Sequence, residues 1–293
     1  MRNNPPTVPD SGRRALALGA FALGLVCAAS GRVDGQTAGR TEGPAAPAPG
    51  TATANAATGR SIDPRHPLAP ALKLARESRS ALNDVRDYEA VFIKREQLGG
   101  QLQTQTMQLK LREQPFSVYL GYQEPNAGRE ILFVKGQNQN MLLAHEGSGI
   151  KSLAGTVSLA VDSPQARAEN RHPITDLGMR RLVERVIVQW EDEAQYGGVE
   201  VQYYPDAKIG GVACPAIECS HPKKFRNFPM HVTRLYIDAE SKLPVRLENY
   251  GYPPSPGADA PLIEEYTYLK IRTNVGLKDE DFSIRNPNYA FSR

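Results

Sequence analysis

From Tyr88 to Ile271 most of the chain is a succession of short runs in which apolar and polar residues alternate, punctuated by glycine, proline and asparagine. A period of two sends successive side chains to opposite faces of a strand. A chain patterned this way buries its apolar residues by setting strands side by side. Tyr88 to Glu96 leads into Leu98-Gly99-Gly100-Gln101, where the glycine pair supplies the positive φ of a tight hairpin. Met107, Leu109 and Leu111 then alternate with Gln108, Lys110 and Arg112. Pro115 interrupts the pattern, Phe116, Val118, Leu120 and Tyr122 resume it, and Glu124-Pro125-Asn126 turns the chain again. Ile131 to Lys135, a turn at Gly136-Gln137-Asn138, and Met141 to His145 complete an antiparallel meander. A second set is predicted at Val199 to Tyr204, Lys208 to Cys219, Val232 to Asp238, Leu243 to Tyr250 and Ile263 to Ile271, with an exposed loop at Pro253-Pro254-Ser255-Pro256-Gly257.

Two stretches carry the helical period instead. Leu68, Leu72, Ala75, Leu82 and Val85 recur at three- and four-residue spacing among Lys73, Arg76, Glu77 and Arg79. After Pro173, Met179, Leu182, Val183, Val186, Ile187 and Trp190 form a second stripe, with Thr175 or Asp176 placed to cap it. The order of helix, strands, helix, strands predicts an α+β fold, one curved antiparallel sheet with the helices packed against a single face. Ile131 and Phe133 point one way while Leu132 and Val134 point the other, so this part of the sheet is expected to be covered on both sides. Two readings follow. The sheet and helices close on an ordinary two-layer core, or they form a half-barrel whose concave face, closed by the helix from Met179 to Trp190, holds an apolar ligand.

The chain begins differently. Arg2, Arg13 and Arg14 precede an uninterrupted fifteen-residue run from Ala15 to Ala29, the pattern of a secretory signal peptide over residues 1–30. Such a run reaches roughly 22 Å as a helix, short of the roughly 30 Å of a bilayer core. Small residues from Cys27 to Gly31 offer cleavage points. Cys27 also fits an alternative in which it becomes a lipidated first residue, although Val26 stands where a small residue is wanted. Arg13-Arg14 is a loose match to a twin-arginine signal. Residues 31–66 are rich in Ala, Pro, Gly and Thr, and between Gln36 and Arg60 there is no Val, Ile, Leu, Met or aromatic residue. This stretch is expected to be a disordered tether, and residues 67–293 one domain.

With 35 basic against 32 acidic residues the net charge is only +3, too little concentrated charge for a nucleic-acid partner. No G-x-S-x-G elbow, P-loop, G-x-G-x-x-G, H-E-x-x-H or EF-hand pattern is present, so no catalytic residue, no cofactor and no enzymatic activity are expected. Of the histidines, His221 and His231 near Cys219 come closest to a zinc set, but the sequence offers no carboxylate or further thiol at ligand spacing. No metal is expected. Asp279-Glu280-Asp281 is read as a turn before the last element, not as an acid and base pair. If Cys27 leaves with a signal peptide, Cys214 and Cys219 are the remaining cysteines, and an exported chain meets oxidising conditions. A disulfide between them requires Pro215 to bend the strand; two buried thiols are the alternative.

Three segments carry a family resemblance: Leu109-Lys110-Leu111-Arg112-Glu113-Gln114-Pro115-Phe116-Ser117-Val118-Tyr119, Glu130-Ile131-Leu132-Phe133-Val134-Lys135-Gly136-Gln137-Asn138, and Lys278-Asp279-Glu280-Asp281-Phe282-Ser283-Ile284. They resemble the periplasmic lipoprotein-carrier superfamily typified by LolA, LolB and the LppX group. More closely, Pro115 to Tyr119, Arg171-His172-Pro173-Ile174-Thr175-Asp176 and Asn274-Val275-Gly276-Leu277 resemble the bacterial family called domain of unknown function 1571. The resemblance implies a LolA-like incomplete β-barrel, a helical lid and a hydrophobic cavity for acyl chains. Cavity residues are then expected at Phe92, Met107, Leu109, Leu111, Phe116, Val118, Leu120 and Phe133 on the sheet, with Val183, Ile187 and Trp190 on the lid. Arg112 approximates the carriers' basic residue before proline, which implies a lid latch. The function implied is that of an exported envelope protein that binds a lipid or an acylated lipoprotein as carrier or sensor, with room for a membrane-bound partner. The alternative from a different class is a structural or protein-interaction module of the envelope with a fully packed core. A hydrolase of envelope material is a third reading; it requires a polar cluster in the cavity.

Overall fold

The computed structural model describes residues 62–147, 155–225 and 228–292. The proposed signal peptide, Cys27 and the tether up to residue 61 lie outside the described residues. Helix α1 (Leu68–Ala81) leads into a meander of β1 (Asp87–Leu98), β2 (Gln101–Arg112), β3 (Ser117–Glu124), β4 (Glu130–Val134), β5 (Met141–His145) and β6 (Thr156–Ala160). A short α2 (Pro164–Ala168) and α3 (Met179–Glu193) follow. The second half runs β7 (Glu200–Tyr204), a small hairpin β8 (Lys208–Ile209) and β9 (Val212–Ala213), then β10 (Ala216–Ser220), β11 (Val232–Ile237), β12 (Pro244–Tyr250) and β13 (Leu262–Thr273).

Eleven of these strands form one antiparallel sheet in the order β6-β5-β4-β3-β2-β1-β13-β12-β11-β10-β7. The central seam is β1 against β13, so the first and last long strands join the two meanders, and β6 and β7 are the sheet's edges among the described residues. The fold is α+β, an antiparallel sheet not closed into a barrel. The glycine hairpin at Gly99-Gly100 falls where the sequence places it, with Leu98 opposite Gln101. Register carries the apolar alternation straight across the sheet: Ala90, Leu109, Leu120, Ile131, Ala144 and Val157 are successive cross-strand partners from β1 to β6. Cross-strand partners share a face, so this ladder is one continuous apolar band on the inner face, the face under the helices.

The main core lies there, where α1 packs on α3 over the sheet. The expectation of cover on both faces also holds. Phe133 belongs to the main core and Ile131 packs against it, whereas Leu132 and Val134 join Tyr119 in a second cluster on the outer face. That cluster is closed by Phe282, Tyr289 and Phe291 of the C-terminal segment, with Tyr289 stacked on Tyr119 at 4.0 Å between centroids.

Four expectations are corrected. The predicted single strand from Lys208 to Cys219 is broken, because Gly210 and Gly211, both at positive φ, fold the β8–β9 hairpin before β10 starts. The cap of α3 is Gly178 and neither Thr175 nor Asp176, which belong to a 3-10 turn ahead of the helix. Gly178 sits at φ 117°, where a Cβ would lie 2.8 Å from Leu111 Cδ1 and 3.2 Å from the Tyr88 hydroxyl. The Tyr88 hydroxyl occupies that gap and accepts from the Met179 N–H at 3.0 Å. The disulfide is not formed: Cys214 and Cys219 are both buried free thiols. Cys219 instead turns its Sγ toward Glu193 at 3.5 Å, while Cys214 precedes β10 beside the β8–β9 hairpin, its N–H donating to the Ala207 carbonyl. Finally, Arg112 latches no lid. It pairs with Asp279 at 2.8 Å, donates to Ser117 Oγ and lies 5.0 Å over the Phe282 ring, so it ties the C-terminal segment to the outer face, away from the helices.

Candidate functional site: a cavity beneath the helical cover

The apolar band is not covered along its whole length. Under α2, the loop from Glu169 to Gly178 and the first turns of α3, it borders a cavity of about 380 Å³. Its floor is Phe92 of β1, Leu120 and Tyr122 of β3, Ile131 of β4, Leu142 and Ala144 of β5, and Val157 and Leu159 of β6, with Tyr266 and Tyr268 of β13 at one side. Its roof is Ala166, Ile174, Leu177 and Leu182. The edge strand β6 and the short α2, neither predicted from the sequence, supply one wall.

Of the expected cavity residues, Phe92 and Leu120 line it. Met107, Leu109, Leu111, Phe116, Val118 and Phe133 share the inner face but are buried in the main core and do not border the cavity. Val183, Ile187 and Trp190 are likewise core: Val183 and Trp190 are 0% exposed, and this middle part of α3 lies where the two helices pack on the sheet. The cover over the cavity is therefore the helix start and the loop before it.

That loop is pinned by polar groups on the inner face. On β1, Phe92, Lys94 and Glu96 share one phase, so two charged residues continue the apolar row. Across the seam Lys94 pairs with Tyr266 and Glu96 with Glu264. Lys94 Nζ donates to the Glu169 carbonyl at 2.9 Å and to the Asn170 side chain, and burial pulls its pKa down against the nearby Glu96 carboxylate. Glu96 accepts from the Tyr266 hydroxyl at 2.5 Å and from the Arg171 N–H at 3.0 Å. Glu264 lies 2.8 Å from His172 Nε2 and accepts from Asn249 at 2.8 Å and from Arg171 at 3.2 Å. Burial opposes its ionisation, yet His172 and Asn249 hold its pKa down at about 2. Burial raises the pKa of Tyr266, whose ring carries the Arg185 guanidinium 5.6 Å from its centroid. Arg129 closes the other end, bonded to Glu146 at 2.9 Å and Glu169 at 2.5 Å and lying over Tyr122, whose pKa burial pushes up to about 12.

The arrangement is an apolar hollow with a cationic and acidic rim. One rim atom, Arg185 Nη1, is buried without a hydrogen-bond partner among the described residues. A pocket of this size and lining is in the range that receives small apolar or amphipathic ligands. The rim residues were legible in part, because Lys94 and Glu96 stand at apolar positions of a strand. Glu264 and His172 were not, since their pairing joins segments 92 residues apart.

Fold and site together define an open antiparallel sheet with a helical cover over an apolar hollow. The chain belongs to the family described as "Protein of unknown function (DUF1571)", whose model matches residues 85–291. No curated protein matches the chain. Similar solved structures include the lipoprotein LppX of Mycobacterium tuberculosis, at 14% identity over 71% of this chain and 98% of that one with a TM-score of 0.35. LprF of Mycobacterium bovis shows 13% identity over 70% and 94% with a TM-score of 0.38. A LolA superfamily protein of Nitrosomonas europaea shows 9% identity over 72% and 96% with a TM-score of 0.25. What the hollow can bind is read from its own residues. No helix among the described residues is long and apolar enough to cross a membrane.

Proposed function

We propose that the protein is an exported envelope protein that binds a lipid, or the acyl chains of a lipoprotein, in this cavity, as a carrier or sensor and without catalysing a reaction. The observation that carries the reading is the cavity itself: about 380 Å³ under a short loop and helix start, walled by Leu120, Ile131, Leu142, Ala144, Leu159 and Leu182. Interiors normally pack to crystal density, so an apolar hollow of this size is a binding site in waiting. Burial of ten methylenes at about 0.8 kcal/mol each supplies roughly 8 kcal/mol before the costs of association. The polar rim of Lys94, Arg129, His172 and Arg185 supports an amphipathic ligand whose polar end stays at the cover. Export rests on the signal-peptide pattern of residues 1–30, and a membrane-bound partner would load or unload the cavity.

The test is titration of the full chain with a fluorescent fatty acid. Wild type is expected to bind one ligand saturably. Ala144→Trp, which places bulk in the cavity, and Ile131→Glu, which places a charge there, are expected to lower affinity at least about tenfold, or about 1.4 kcal/mol, with unchanged circular dichroism. Equal binding by Ala144→Trp and wild type would show that the ligand sits elsewhere.

A further inference from the structure

A second cluster lies away from the cavity, at the far end of α3. Glu193, the last residue of that helix, meets Cys219 on β10 and His221 just beyond the strand. All three are sealed from solvent, with exposures of 1%, 1% and 2%. Their donor atoms form a small triangle: Glu193 Oε2 lies 3.2 Å from His221 Nε2 and 3.5 Å from Cys219 Sγ, and Sγ lies 3.9 Å from Nε2. Zinc bonds of about 2.3 Å to sulfur and about 2.0 to 2.1 Å to nitrogen and oxygen, set at tetrahedral angles, put donor atoms about 3.3 to 3.6 Å apart. The observed triangle is close to three corners of that polyhedron.

We infer that Glu193, Cys219 and His221 form a binding site for a divalent zinc-like cation. Charge and hydrogen bonding both point there. A buried carboxylate needs a compensating positive charge, and among the described residues the ion-pair partner of Glu193 is His221. A divalent ion held by one thiolate and one carboxylate leaves the buried site neutral. The supporting groups leave the three donors free to converge. Gln189 donates to Glu193 Oε1 at 2.8 Å and to Thr233, which holds the carboxylate with Oε2 facing the cluster. Phe228 stacks on the imidazole at 3.9 Å and fixes its plane. His221 Nδ1 is buried without a hydrogen-bond partner among the described residues, so Nε2 is the ring's one polar engagement. Nitrogen, sulfur and oxygen donors in this mix suit zinc above calcium or magnesium. Three protein ligands leave one position for water or another small ligand.

His231, which lies near Cys219 and His221 in sequence, takes no part: its Nδ1 lies 2.8 Å from the His221 carbonyl and its ring packs on Tyr252. The carboxylate comes from a helix 26 residues before the cysteine. The ion would clamp the end of α3 to the sheet, while the other end of the same helix roofs the cavity.

The test strips the full chain with a chelator and titrates it with cobalt(II) and then zinc(II). One equivalent of cobalt is expected to bind, with tetrahedral ligand-field absorption and a thiolate-to-cobalt charge-transfer band, and zinc is expected to displace it. Cys219→Ser should lose the charge-transfer band, Cys214→Ser should keep it, and Glu193→Gln should weaken binding at least about tenfold. Should a variant fail to fold, X-ray absorption of the zinc-loaded wild type decides, with one sulfur and one imidazole expected in the first shell. No stoichiometric binding, a charge-transfer band that survives Cys219→Ser, or a shell without sulfur each overturns the site.

Discussion

Glu264 shows how a single buried carboxylate can govern the cover over the cavity. Its two oxygens serve His172, Arg171, Asn249 and Tyr266, and through the first two it fastens the loop before α3 to the sheet. Burial opposes its charge, but His172, Asn249 and the Arg185 guanidinium outweigh it and hold its pKa down at about 2, below the ordinary carboxylate value. A group with a depressed folded pKa contributes stability that is full above its unfolded value and is lost as pH falls through the folded one. The contribution of Glu264 is therefore complete above about pH 5 and disappears between there and about pH 2, on the order of 3 kcal/mol at most. Urea denaturation at successive pH values should show wild type losing this increment in that window. Glu264→Gln should start less stable at pH 7 and lose less on acidification. Parallel profiles for the two proteins would contradict this role.

Among the elements, α3 does three jobs along one helix. One face, with Val183 and Trp190 fully buried, is core; Leu182 and Arg185 of the first two turns border the cavity; its last residue reaches the Cys219 cluster. The helix enters at Gly178, where positive φ and the approach of Leu111 and Tyr88 exclude a side chain. Gly178→Ala is expected to cost about 1–3 kcal/mol, from strain at an unfavourable φ plus displacement of Leu111. Gly136→Ala, at φ 85° but with open space around it, should cost less. Thermal melting compares them, and equal losses would refute the close-approach account. Helix α3 and its apolar stripe were legible in the sequence because one face repeats at helical spacing over four turns. Its cap was not, since Thr175 and Asp176 are ordinary capping residues, and glycine is required by the positive φ at 178 and the tertiary approach of Leu111 and Tyr88. Strand β6 was illegible for a similar reason: its residues are half-buried or exposed at the sheet's edge, which leaves little apolar alternation to read.

At the scale of the whole molecule, the sequence set out the sheet, its inner face and the second apolar layer, whereas what covers each part of that face was beyond it. Leu109 and Leu120 are cross-strand partners with the same character, yet one is sealed in the core and the other opens on the cavity. Alternation decides which face a residue takes; long-range packing decides whether protein or a ligand completes its contacts. Two substitutions separate these fates. Val183→Glu puts an unpaired carboxylate into the core and should abolish folding, as read by circular dichroism, while Ile131→Glu should leave the fold and remove the ligand. The central claim is that the cavity is occupied in the cell envelope. Native mass spectrometry of the full chain, purified gently from its own cells and then denatured for lipid analysis, measures this directly. The account predicts a stoichiometric lipid or acylated peptide released on denaturation. A bare polypeptide that takes up no fluorescent fatty acid afterwards would contradict it and leave a packed structural module in its place.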